Sequence, residues 1–143
     1  MPSVVLHRRV QTYQIDFSGH VNNSVYTQWC EEARVELVRR AGYPVEAAVA
    51  GGKVPALTET RILFRRPLTI GEEIEIEAWV EEIGGASGWI ATEIRNARGE
   101  IAASARQRGV WIEAMSGRPA RLSAEEVAAY RAFGRTPEDQ KPD

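Results

Sequence analysis

The stretch Ile15-Asp16-Phe17-Ser18-Gly19-His20-Val21-Asn22-Asn23-Ser24-Val25-Tyr26 decides how this chain is read. It sets a carboxylate and an imidazole in a short polar loop that runs directly into a helical pattern. From about Ser24 to Ala41, the residues Tyr26, Trp29, Cys30, Ala33, Leu37 and Arg40 recur at the spacing of one helix face, with Val38 and Ala41 beside them. Asn22 or Asn23 suits the N-cap and Gly42 the position just past the end. Arg39 and Arg40 suit the negative helix pole, and Pro44 discourages continuation. A helix start presents unpaired backbone N–H groups and the positive end of the macrodipole. The loop therefore aims an acid at a place able to hold developing negative charge, a pairing suited to attack on a carbonyl.

Outward from the helix, strand signals dominate. Val4 to Tyr13 reads as a first strand, with Val4, Leu6, Arg8, Val10 and Thr12 on one face. Beyond an irregular stretch around Gly51-Gly52-Lys53, strands are expected over Val54 to Phe64, Glu73 to Ile83, Trp89 to Asn96 and Glu100 to Ile112. The Glu73 strand alternates strictly: Ile74, Ile76, Ala78 and Val80 face the core, and Glu73, Glu75, Glu77, Trp79 and Glu81 face water. Gly109 marks an expected bulge. Ser123 and Glu126 form a capping box that opens a short helix reaching about Phe133. We expect one domain over residues 1–134 and a frayed, Pro- and charge-rich tail over 135–143, with no internal repeat or linker. Strand, long helix, four strands, short helix is an α+β order: an antiparallel meander with one long helix against a face.

Composition narrows the function. With 143 residues, 43% hydrophobic and 27% charged, the chain suits a single core. Its 18 basic and 20 acidic residues leave a net charge of -2, so nucleic acid and anionic membrane are not expected partners. No apolar run has the length to span a bilayer, and the first residues lack the apolar core and cleavage site of a signal peptide. One cysteine makes no internal disulfide, which agrees with a reducing cytoplasm, the expected location. Two distant histidines and no Cys/His cluster give no reason to expect a metal. Gly84-Gly85-Ala86-Ser87-Gly88 joins two strands and lacks the Lys-Ser/Thr of a phosphate loop, so no cofactor is expected.

Asp16, Gly19, Val21 and Tyr26 spell D-x-x-G-x-V-x-x-x-x-Y, followed by Trp29, Glu32, Ala33 and Arg34. With Phe64-Arg65-Arg66-Pro67-Leu68 and Ile70-Gly71-Glu72, this pattern resembles the hotdog-fold thioesterases of the 4-hydroxybenzoyl-CoA thioesterase type, over roughly Val4 to Ile112. His20-Val21-Asn22-Asn23, with Tyr26 and Trp29, is similar to the H-V-N-N-x-x-Y-x-x-W of acyl-ACP thioesterases. Those enzymes also place an aspartate four residues before the histidine, but carry asparagine where this chain has Ser18. The resemblance implies a curved antiparallel sheet of about five strands wrapped around one central helix.

It also implies an acyl-CoA thioesterase in which Asp16 attacks the thioester carbonyl or deprotonates water, and in which the Asn23 N–H polarises the carbonyl oxygen. His20 either serves the leaving thiolate or the water as a proton group, or simply holds the loop. Gly19, Val21 and Tyr26 fall at substrate-binding positions; Tyr26 either packs the helix or lines an acyl tunnel. Hotdog sites lie between subunits, so a homodimer is expected, with a homotetramer left open. Glu59 is the second-strand carboxylate able to reach a partner's loop, with Thr58 and Thr60 on the opposite face.

Several residues read two ways. Arg61, Arg65, Arg66, Arg106 and Arg108 have the chemistry to meet CoA phosphates, and equally to act as counterions to the strand glutamates. Cys30 lies on the apolar stripe and is read as a small packed hydrophobe, and Ser18 crowds Asp16 and His20 too closely for a serine triad. An acyl-ACP thioesterase, a hotdog dehydratase or hydratase using His20, and a non-catalytic acyl-CoA binder are the alternatives.

Overall fold

A computed structural model describes residues 3–135 of the chain. Strands β1 (Val4–Arg9), β2 (Lys53–Phe64), β3 (Glu73–Ile83), β4 (Ser87–Arg95) and β5 (Ile101–Glu113) form one sheet in the order β1-β3-β4-β5-β2. Every neighbouring pair is antiparallel. Helix α1 (Asn23–Arg40) lies against β1, β3 and β4; α2 (Val45–Ala48) and α3 (Ala124–Arg131) are short. This is the α+β layout anticipated from the order of elements.

α1 is helical where its ends say it should be. The Asn22 side chain accepts the Ser24 N–H, which settles the cap on Asn22 rather than Asn23, and Gly42 turns away at φ 103°. Its buried face comprises Tyr26, Trp29, Cys30, Ala33 and Leu37, set against Ile74, Ile76 and Val80 of β3 and Ile94 of β4. Each large apolar side chain buried there contributes about 1.5–3 kcal/mol. The sheet thus grips the helix middle and leaves its first turn at the rim.

Five expectations need correction. β1 ends at Arg9, because Thr12–Gln14 folds into a 3-10 turn whose Gln14 side chain reaches back to the Gln11 N–H. The short α2 lies in what read as irregular chain, its amides at Ala47 and Ala48 both bonded to the Pro44 carbonyl. The bulge expected at Gly109 occurs opposite it: Leu57 pairs with Gly109 and Glu59 with Arg108, so Thr58 in β2 is the extra residue.

The outer face of β3 is also less solvated than its glutamates suggest, since Glu77 and Trp79 are buried. Ser3 donates to Glu77 Oε2 (2.7 Å), while the Arg135 guanidinium lies 3.8 Å from Glu77 Oε1 and 4.2 Å over the Trp79 ring. Phe133 and Gly134 bond along β3 at Val80, just beyond the start of β1. Of the expected tail, Arg135 is therefore packed, and residues 136–143 lie outside the described residues.

Candidate active site

The loop before α1 is a small closed structure. Ile15 and Val21 form an antiparallel bridge, Asp16 N–H donates to the His20 carbonyl (3.0 Å), and Gly19 N–H donates to the Asp16 carbonyl (3.0 Å). Gly19 takes φ 84°, a left-handed conformation strained for any residue with a Cβ. No atom lies within 4 Å of where that Cβ would stand, so backbone geometry alone asks for glycine. Val21 N–H to the Leu68 carbonyl (3.0 Å) and Asn22 N–H to the Gln14 carbonyl (2.9 Å) fasten the loop at the rim of the sheet.

Within the loop the Asp16 carboxylate is gripped by one neighbour. Ser18 donates both its backbone N–H (2.9 Å) and its hydroxyl to Asp16 Oδ1. The Ser18 hydroxyl, then its N–H, hold the Asp16 carboxyl below the ordinary carboxylate range, and His20 adds a smaller push in that direction against a little burial. Asp16 is therefore ionised at neutral pH.

A cleft of about 300 Å³ opens beside this loop, lined by Asp16, Ser18, His20, Asn23 and Tyr26 on one side and by Phe64 to Pro67 on the other. Asn23 opens α1 at its positive pole. Asn22 caps Ser24 with its side chain and Val25 with its carbonyl, and neither bond uses the Asn23 N–H. Tyr26 forms the floor, with its ring edge-to-face with Trp29 (5.4 Å) and Phe64 (5.0 Å). Burial first, and Glu72 second, push its phenol up to about 12, so it stays protonated at neutral pH.

The structure brings Asp16, His20, Val21, Asn23 and Tyr26 together at this cleft and gives Gly19 the turn. Glu59 is not brought in. The Thr58 bulge reverses the alternation of β2, so Thr60 faces α1 through Gln107 while Glu59 pairs with Arg61 (3.6 Å) on the opposite, exposed face. The five arginines divide likewise. Arg65 and Arg66 line the cleft, whereas Arg106 bonds Glu81, Arg108 bonds Thr58, and Arg61 meets Glu59. Cys30 is fully buried and its thiol is pushed up to about 11 by that burial, which leaves it unreactive. Among the described residues no three His, Cys, Asp or Glu side chains gather to hold a metal, and no helix is long and apolar enough to cross a membrane. Ser18 is the contributor that sequence reasoning passed over. The signal was present in the Asp-x-Ser spacing, at which an aspartate accepts the N–H two residues on.

A family model described as the thioesterase-like superfamily matches residues 10–130. The chain belongs to the thioesterase-like superfamily. It is similar to a chloroplastic acyl-acyl carrier protein thioesterase of Arabidopsis thaliana, ATL3, at 28% identity over 54% of this chain and 41% of that protein. It is also similar to YneP of Bacillus subtilis, a protein provisionally named an acyl-CoA thioesterase, at 24% identity over 77% of this chain and 80% of that one. The chain thus spans less than half of the plant relative and most of the bacterial one. Among solved structures, the 1,4-dihydroxy-2-naphthoyl-CoA thioesterase Slr0204 from Synechocystis superposes with a TM-score of 0.79 at 19% identity, over 90% of this chain and 95% of that one. That likeness establishes the hotdog fold of the family, and the names agree with the expectation of a thioester hydrolase.

Proposed function

We propose that the protein hydrolyses the thioester of an acyl-CoA, with Asp16 as the reacting carboxylate. One observation carries the reading: an ionised Asp16 and the Asn23 end of α1 line the same cleft. A thioester carbonyl seated there would direct its oxygen to the Asn23 N–H, where the helix pole stabilises the charge that develops. Asp16 then attacks the carbonyl carbon, expelling CoA thiolate and leaving an acyl anhydride that water cleaves, or takes a proton from the attacking water. His20, exposed at the cleft edge, is positioned to serve the departing sulfur or the water. Val21 and Tyr26 shape the floor for the acyl group, and Arg65 and Arg66 supply positive charge on the opposite wall.

In this proposal the working unit is a homodimer in the cytoplasm. β2 is an edge strand of 12 residues with Leu57, Leu63 and Phe64 exposed, an invitation to a second copy. Glu59 joins the chemistry only across that interface. A homotetramer would add a further pairing of dimers.

Thiol release from short, long and aromatic acyl-CoAs, with the matching acyl-ACPs run in parallel, tests the activity and its carrier. Asp16→Asn is expected to lower turnover by roughly 10²-fold or more while the fold is kept. Full turnover by Asp16→Asn would retire the assignment. A monomeric mass together with full activity would retire the shared site.

A further inference from the structure

We infer that Ser18 is a positioning residue for the reacting carboxylate, holding one oxygen of Asp16 so that the other meets the carbonyl carbon or the water. This inference rests on the role proposed above for Asp16. A carboxylate on a loop is free to turn about two side-chain torsions, and a single hydrogen bond leaves much of that freedom. Ser18 supplies two donors from different directions, its N–H and its hydroxyl, and both land on Oδ1. Oδ2 receives neither. The grip fixes the plane of the carboxylate and hence the direction of its second oxygen, which is what an attack trajectory or a proton transfer demands.

The loop that makes this possible is rigid for independent reasons: the Ile15–Val21 bridge, the turn at Gly19, and the bond from Val21 to the strand-connecting segment at Leu68. Ser18 itself lines the cleft, so its hydroxyl bond forms where the substrate would sit. The other charged or titratable groups at the cleft are His20, Arg65 and Arg66, with Tyr26 below them. Of the influences that favour ionised Asp16, the Ser18 hydroxyl is the largest. Where acyl-ACP thioesterases carry an amide side chain, this chain uses a hydroxyl that reaches the aspartate two residues earlier.

The hydroxyl can be removed without its companion, because Ser18→Ala keeps the backbone N–H. The chain has only three aspartates, Asp16, Asp139 and Asp143, so carboxyl-carbon NMR of the full chain labelled at aspartate follows Asp16 directly. The Asp16 signal is the one that disappears in Asp16→Asn. We expect Ser18→Ala to titrate at higher pH than the native protein and Ser18→Thr to move back towards it. Hydrolysis needs ionised Asp16, so rate falls as pH drops through its titration; raising that titration moves the acid limb of the pH–kcat/KM profile to higher pH. On the plateau kcat should fall roughly tenfold in Ser18→Ala with KM little changed, because binding is kept and orientation is lost. An Asp16 titration and acid limb in Ser18→Ala that match the native protein would overturn the role of Ser18. Full turnover by Asp16→Asn, with the Ser18→Ala titration shift intact, would overturn the hydrolytic reading and the positioning role with it, so the two failures are distinct.

Discussion

Helix α1 handles polar side chains at its two levels in opposite ways. At its first turn, Asp16, Ser18 and His20 stand at an open rim, and the Asp16 carboxylate takes its bonds from Ser18, two residues away. Halfway along, the Arg34 guanidinium is largely enclosed and donates to Gln107 Oε1 (2.9 Å); Gln107, 2% exposed, donates in turn to Thr60 Oγ1 (3.2 Å). Burial depresses the Arg34 pKa, and Glu31 opposes that effect. The deep set spends its donors tying α1 to β5 and β2, and is structural. In the shallow set, two bonds from Ser18 hold one oxygen of a carboxylate that lines the cleft. On the function proposed above, depth of burial points away from the reacting group, which is instead a carboxylate fixed on one oxygen beside a helix pole.

Substitutions can break or sharpen that contrast. Leu37→Ala, in the shared core beneath both levels, should cost about 2–5 kcal/mol in denaturant unfolding and lower activity only through loss of folded protein. Asp16→Asn should raise the barrier by about 2.7 kcal/mol, the equivalent of the 10²-fold loss above, with the melting temperature unmoved. Gln107→Leu strands a donor of Arg34 and removes a partner of Thr60, so it should cost about 1–3 kcal/mol of stability. Turnover per folded molecule should hardly change in that variant; a loss as deep as that of Asp16→Asn would erase the distinction between the two levels. Asn22→Ala, which uncaps α1 next to the cleft, should cost about 1 kcal/mol and trim kcat by frayed placement of the Asn23 N–H. Circular dichroism and thiol release on the same samples separate these effects.

What the sequence disclosed was governed by locality. The ends of α1 and the capping box at Ser123 were legible because their determinants lie within four residues, and the structure keeps them. β3 was legible from strict alternation. β1 was read too long because Val10 and Thr12 continue a period-two pattern, while the turn at Thr12–Gln14 depends on a Gln11–Gln14 contact that alternation does not register. Burial of Glu77 and Trp79 hung on Ser3 and Arg135, partners distant in sequence. The side of β2 on which Glu59 stands relative to α1 was hidden for a related reason. A bulge belongs to a pair of strands, and Gly109 announced it from the strand that does not carry the extra residue. At the site, Asp16, His20 and Asn23 share one short segment and were found together, whereas the facing wall, Phe64 to Pro67, arrives through the sheet and was known only as a weak motif.

Glu77 has a practical consequence for engineering. Ser3 and Arg135 meet at its two oxygens, so the two extremities of the described chain are neighbours on the face of β3 opposite Ile76 and Ala78, and none of these residues lines the cleft. A short peptide joining them, with new termini opened in the exposed part of the β4–β5 turn, Ala97–Gly99, should yield a permuted protein whose Asp16 loop is untouched.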